Sequence, residues 1–132
     1  HGTCLISFFY KQSQSEAKDG AAVPEERFRY PGPKPQRIEA AIIMLADACE
    51  AAVRAQKQPT PKSIESTVNN VVESRLIDGQ FESCNITLGQ ITAVRLSLIK
   101  TLAGIYHSRM EYPDLEELRH HRESHPRGNG AG

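Results

Sequence analysis

The sequence lacks several features that would decide its function quickly. It has no surplus of charge, because 16 Lys and Arg balance 16 Asp and Glu over 132 residues. A chain so balanced has no electrostatic footprint for nucleic acid or an anionic membrane surface. The apolar run around residues 40–53 is too short to cross a bilayer, and no longer one is apparent. The first ten residues, HGTCLISFFY, are not the basic n-region of a secretory signal. Cysteine is scarce and unpatterned: Cys4, Cys49 and Cys84 are an odd number with no C-x-x-C spacing. They fit reduced thiols in a reducing, cytosolic setting, two of them within apolar helical stretches. G-x-x-x-x-G-K-[ST], G-x-G-x-x-G and G-x-S-x-G are all missing. So are strand-like alternation and internal repeats, which leaves an all-α domain of modest size.

What is present is helical periodicity with clear punctuation. The pattern predicts helices over about residues 3–18, 36–56, 61–77 and 88–110. A stiff loop with Pro24, Pro31, Pro33 and Pro35 separates the first two. Thr60 followed by Pro61 is a helix start, Asp78-Gly79 a stop, and Thr87 with Gln90 a capping box. The core stripes expected are Ile38, Ile42, Leu45 and Cys49, then Ile64, Val68, Val71 and Leu76, then Ile91, Val94, Leu98, Leu102 and Ile105. Residues 1–114 form the domain, and the polar segment 115–132 is expected to be mobile.

One residue breaks the pattern. Asp47 sits in AAIIMLADACEAAV, with Ala40, Ile43, Met44 and Ala51 on its own side of the helix. A carboxylate among apolar neighbours must be paired, metal-bound or protonated if it is buried. A salt bridge to an Arg and a metal or catalytic role both stay open on the residues alone. His107 suits the C-terminal part of a helix, where the dipole favours it. His120, His121 and His125 lie in the polar tail, and Lys34 is more simply solvated than ligand-bound. The chain opens on His1 directly before an apolar segment, and so reads as a piece of a longer protein.

Five collinear stretches, HGT-x-LISFFY, FRYPGPKPQ, EAAIIMLADACEAAVR, RLIDGQF and GIYHSRMEYPD, resemble the seven-transmembrane HD-domain phosphohydrolases. These bacterial membrane proteins carry a cytoplasmic HD domain that hydrolyses cyclic di-AMP. The resemblance runs from His1 to about Asp114 and implies the C-terminal part of a helical HD domain, an incomplete bundle. It also implies a two-metal site of iron or manganese, with His1 matching the second His of a His-His-Gly-Thr segment and Asp47 the helical Asp. The family's other ligands fall upstream, so two donors remain and the piece by itself is expected to be inactive.

By the same resemblance, the substrate is a cyclic dinucleotide opened to its linear form, with no DNA or RNA partner. The longer protein would be anchored through upstream helices at the cytoplasmic face of the cell membrane. Gly2 would let the backbone pass close to the metals, and Thr3 would cap the next helix or bond a phosphate oxygen. Tyr30 would offer adenine a stacking face, Lys34 would border the pocket, and Arg54 would reach the second phosphate or pair with a carboxylate. An HD hydrolase of another nucleotide, or a non-catalytic helical sensor or docking module, are the alternatives.

Overall fold

The computed structural model of the chain describes residues 1–17 and 22–111. Four helices, α1 (Ser7–Glu16), α2 (Ile38–Arg54), α3 (Pro61–Ile77) and α4 (Leu88–Glu111), are joined by loops, one containing a 3-10 turn at Glu25–Phe28. No strand occurs among the described residues, and the all-α expectation holds. The expected mobility of the tail and its three histidines lie outside the described residues.

The punctuation works as its residue types dictate. Thr60 Oγ1 accepts from the Ser63 backbone N–H at 3.1 Å, and Ser63 Oγ accepts from the Thr60 N–H at 2.8 Å, with Pro61 in the first turn. Thr87 and Gln90 form the same reciprocal pair, at 3.1 and 2.9 Å. Helix α3 stops because Gly79 takes φ +69°: its N–H bonds Leu76 O, and the Gln80 N–H bonds Arg75 O, both at 3.1 Å. That Schellman closure turns the chain sharply and sends Gln80 back toward the core.

The core lies among α2, α3 and α4. Ala41, Leu45, Cys49 and Val53 from α2 meet Ile64, Val68 and Val72 from α3, with Ile91 and Leu102 from α4 closing one side. The expected stripes are right in phase and too generous in extent. Ile42, Leu76 and Ile105 are exposed, and Val72 rather than Val71 is the fully buried position.

Two expectations are corrected. The first helix starts at Ser7, not Thr3, because residues 4–6 pair with the segment after the 3-10 turn. The Ile6 N–H bonds Phe28 O at 2.6 Å, and the Tyr30 N–H bonds Cys4 O at 3.0 Å. This bridge captures the backbone groups that a longer helix would use. The second correction is that α4 contains one stretch, Leu88–His107, long and apolar enough to cross a membrane by length and composition. Here Ile91 and Leu102 bury one side of it, Leu88, Leu96 and Ile105 are exposed, and Arg95 and Lys100 interrupt its apolar surface.

Candidate active site

The loop of His1, Gly2 and Thr3 is fastened from below. Gln80, fully buried, accepts the Thr3 N–H on its Oε1 at 3.1 Å and donates through Nε2 to Thr3 Oγ1 at 3.0 Å and to Asp78 Oδ2 at 2.8 Å. Arg29 grips Asp78 with both terminal nitrogens, at 3.0 and 2.9 Å, and reaches Thr3 O at 2.8 Å. The Arg29 hydrogen bonds hold the Asp78 carboxyl below its ordinary range, and Asp78 in turn raises the Arg29 guanidinium further. Gly2 has φ +55°, and a Cβ there would meet Gln80 Oε1 at 2.5 Å and Met44 Cε at 2.7 Å. Only glycine fits that turn comfortably.

Above this clamp His1 and Asp47 line the same two adjoining cavities. One, of about 410 Å³, is also lined by Cys4, Tyr30, Met44 and Arg75. The other, of about 380 Å³, is bordered by Gly2, Pro33 and Met44. The His1 ring stacks on Tyr30 with centroids 4.4 Å apart and planes 14° apart. Asp47 forms no salt bridge among the described residues. It is also exposed rather than buried, which corrects the premise that its apolar neighbours enclose it. The helix turns Asp47 and the 69 %-exposed Ile43 outward, while Leu45 and Cys49 face the core.

Other expected site residues have different occupations. Thr3 spends its hydroxyl on Gln80 and caps nothing, since Ile6 holds the α1 N-cap without a side-chain bond. One face of Tyr30, assigned to adenine, is covered by His1. Lys34 bonds Glu82 at 3.1 Å, Arg54 bonds Glu50 at 3.3 Å, and neither lines the two cavities. Arg29, Arg75, Asp78 and Gln80 were missed as site residues, although three of them spell the polar positions of RLIDGQF directly after an apolar helix face.

Imidazole and carboxylate on one cavity are donors suited to a divalent transition metal. Among the described residues no group of three or more His, Cys, Asp or Glu comes together, so these two would be a share of a ligand set. The Cys4 thiol on the cavity and the Cys49 thiol in the core are poor donors at neutral pH. Burial pushes the Cys4 thiol up, and pushes Cys49 to about 11.

No family model matches the chain. The cyclic-di-AMP phosphodiesterase PgpH of Bacillus subtilis is 47 % identical over 114 residues, covering 86 % of this chain and 16 % of that protein. The Listeria monocytogenes PgpH is 45 % identical over the same coverage. The crystal structure of the L. monocytogenes PgpH HD domain with cyclic-di-AMP superposes with a TM-score of 0.75 at 43 % identity, over 80 % of this chain and 48 % of that one. The chain is similar to part of the PgpH HD domain. It spans 16 % of the length of the PgpH proteins it matches and about half of the HD domain that was crystallised.

Proposed function

We propose that the chain is part of a metal-dependent phosphodiesterase that opens cyclic di-AMP to the linear dinucleotide. The observation that carries this reading is the superposition on an HD domain that binds cyclic-di-AMP, joined to the convergence of His1 and Asp47 on one cavity. In this reading His1 and Asp47 are metal ligands, and the remaining ligands come from elsewhere in the longer protein. Two divalent ions held there, iron or manganese, would supply Lewis-acid chemistry toward water and phosphate.

The chain's own residues supply position. Asp47 presents its carboxylate from the middle of a 17-residue helix whose opposite face is locked in the core. His1 presents an imidazole held by Tyr30 on its ring and by the Gly2–Thr3 clamp below. Met44, Ala48 and Ala51 form an apolar wall that limits water around the reacting phosphate. The longer protein is membrane-anchored with this domain on the cytoplasmic side, and the chain by itself is inactive because it holds too few ligands. The test is a hydrolysis assay on the full-length protein with manganese, before and after chelation, beside the isolated chain. Chelator-sensitive release of linear dinucleotide by the full-length protein alone is the expected result. Turnover indifferent to chelation would overturn it.

A further inference from the structure

Arg75 lies in the last turn of α3 and lines the His1–Asp47 cavity. Its Nε is buried with no hydrogen-bond partner, and no salt bridge engages its guanidinium among the described residues. A buried unpaired donor is uncommon, and on a charged fork it costs more than on a neutral group. Among the described residues no nearby group bonds this Nε. Asp78 is close enough for Arg75 to help lower its pKa, but its carboxylate oxygens already take both Arg29 nitrogens and Gln80. Cys4 and Cys49 also feel the Arg75 charge, and burial keeps both as neutral thiols, which accept weakly. Asp47 lines the cavity without reaching an ion pair with Arg75. Beyond the buried Nε, the rest of the guanidinium is left to the cavity that Arg75 lines.

We infer that Arg75 is the anion-holding residue of this cavity, binding a non-bridging phosphate oxygen of a phosphodiester ligand. A planar guanidinium matches the paired oxygens of a phosphodiester, and a lysine would offer only a point charge. The Schellman turn at Gly79 and the buried Gln80 fix the backbone at the end of α3, so the point from which Arg75 projects is set before ligand arrives. The inference takes the ligand class from the function proposed above, and adds that one phosphate contact is made by protein and not by metal.

The test uses the full-length, metal-loaded protein with Arg75→Gln and Arg75→Lys, titrated with inorganic phosphate and with cyclic di-AMP. Asp47→Ala serves as a reference for the metal site. Arg75→Gln should weaken both ligands at least tenfold and raise KM more than it lowers kcat, with wild-type metal content. Arg75→Lys should recover part of the affinity, which a purely structural arginine would not show. If Arg75→Gln lowers the melting temperature, the Lys variant decides, because it keeps the stem and charge but loses the fork. Unchanged affinity in both variants overturns the inference, as does wild-type protein that binds neither probe. Binding of phosphate but not of cyclic di-AMP, weakened by Arg75→Gln, supports the anion site and sinks only the substrate reading.

Discussion

The imidazole of His1 lies on the ring of Tyr30, with centroids 4.4 Å apart and planes inclined by 14°. Tyr30 is itself fixed by its backbone N–H on Cys4 O, directly after the loop it supports. A ring so placed limits the planes open to the imidazole, and such support is what a metal ligand needs from its surroundings. In the full-length protein Tyr30→Phe should therefore keep metal content and turnover near wild type. Tyr30→Ala should lower metal affinity roughly 10- to 100-fold, the usual cost of removing a group that orients a ligand. Metal titration monitored by activity and by bound-metal analysis checks both, and equal affinity in the two variants would exclude an orienting role.

Gly2→Ala tests the clamp from the backbone side. The substitution places a Cβ against Gln80 Oε1 and Met44 Cε at a residue with φ +55°. Strain of this kind costs about 1–3 kcal/mol. Met44 can swing aside, but Gln80 cannot without releasing Thr3 or Asp78. Thermal unfolding should show a lower midpoint, and turnover of the full-length protein should fall further than that loss of stability explains.

The sequence made the helices legible because their boundaries depend on local chemistry. Thr60, Pro61, Gly79, Thr87 and Gln90 each act within a few residues of themselves, and α3 and α4 begin where they indicate. The start of α1 was not legible, since the Leu5–Arg29 bridge that displaces it joins residues 24 apart in the chain. Asp47 stood out by composition alone, but its exposure depends on which face of α2 the other helices cover. The clamp was hidden for a similar reason: Thr3 and Gln80 are 77 residues apart, and neither is unusual until the fold joins them.

Asp78 gives the clamp a pH dependence with a definite sign. Its folded pKa is depressed, chiefly by the Arg29 hydrogen bonds. The ionised form is therefore favoured by folding, and the stabilisation is present above the unfolded value of about 3.8. It is lost as pH falls through the lower folded value. Asp78→Asn should reduce stability at neutral pH by on the order of 1–2 kcal/mol, and the gap to wild type should close as the solution is acidified below pH ~4. Urea denaturation across that range measures it, and a gap independent of pH would mean that the carboxylate charge is irrelevant.

The buried thiols set the opposite limit. Cys49 is pushed to about 11 from an ordinary 9.0, mainly by burial. A raised thiol pKa means the neutral form is the one that folds. Its contribution is complete below the unfolded value and disappears as pH rises from 9 to about 11. At neutral pH Cys4 and Cys49 should resist iodoacetamide while the protein is folded, and the half-buried Cys84 should react first. Mass mapping of the labelled peptides in time gives the order. Early labelling of Cys49 in native protein would contradict the packing of α2 in the core.

Asp47→Ala separates ligation from folding most directly. The carboxylate is exposed on the cavity side of α2 and makes no ion pair among the described residues, so its removal breaks no contact that holds the helices together. Alanine is also the best helix former, so α2 should be no less stable. In the full-length protein the variant should keep its melting temperature within a few degrees, lose bound metal and lose cyclic di-AMP hydrolysis by at least ~100-fold. Asp47→Asn should behave alike, because an amide keeps the shape of the side chain without its charge. His107→Ala, at an exposed position on α4 away from both cavities, should stay within about twofold of wild type. Circular dichroism, metal analysis and product release on the same preparations make the comparison. Full metal content in Asp47→Ala would remove this carboxylate from the ligand set and leave His1 as the only donor assigned from this chain.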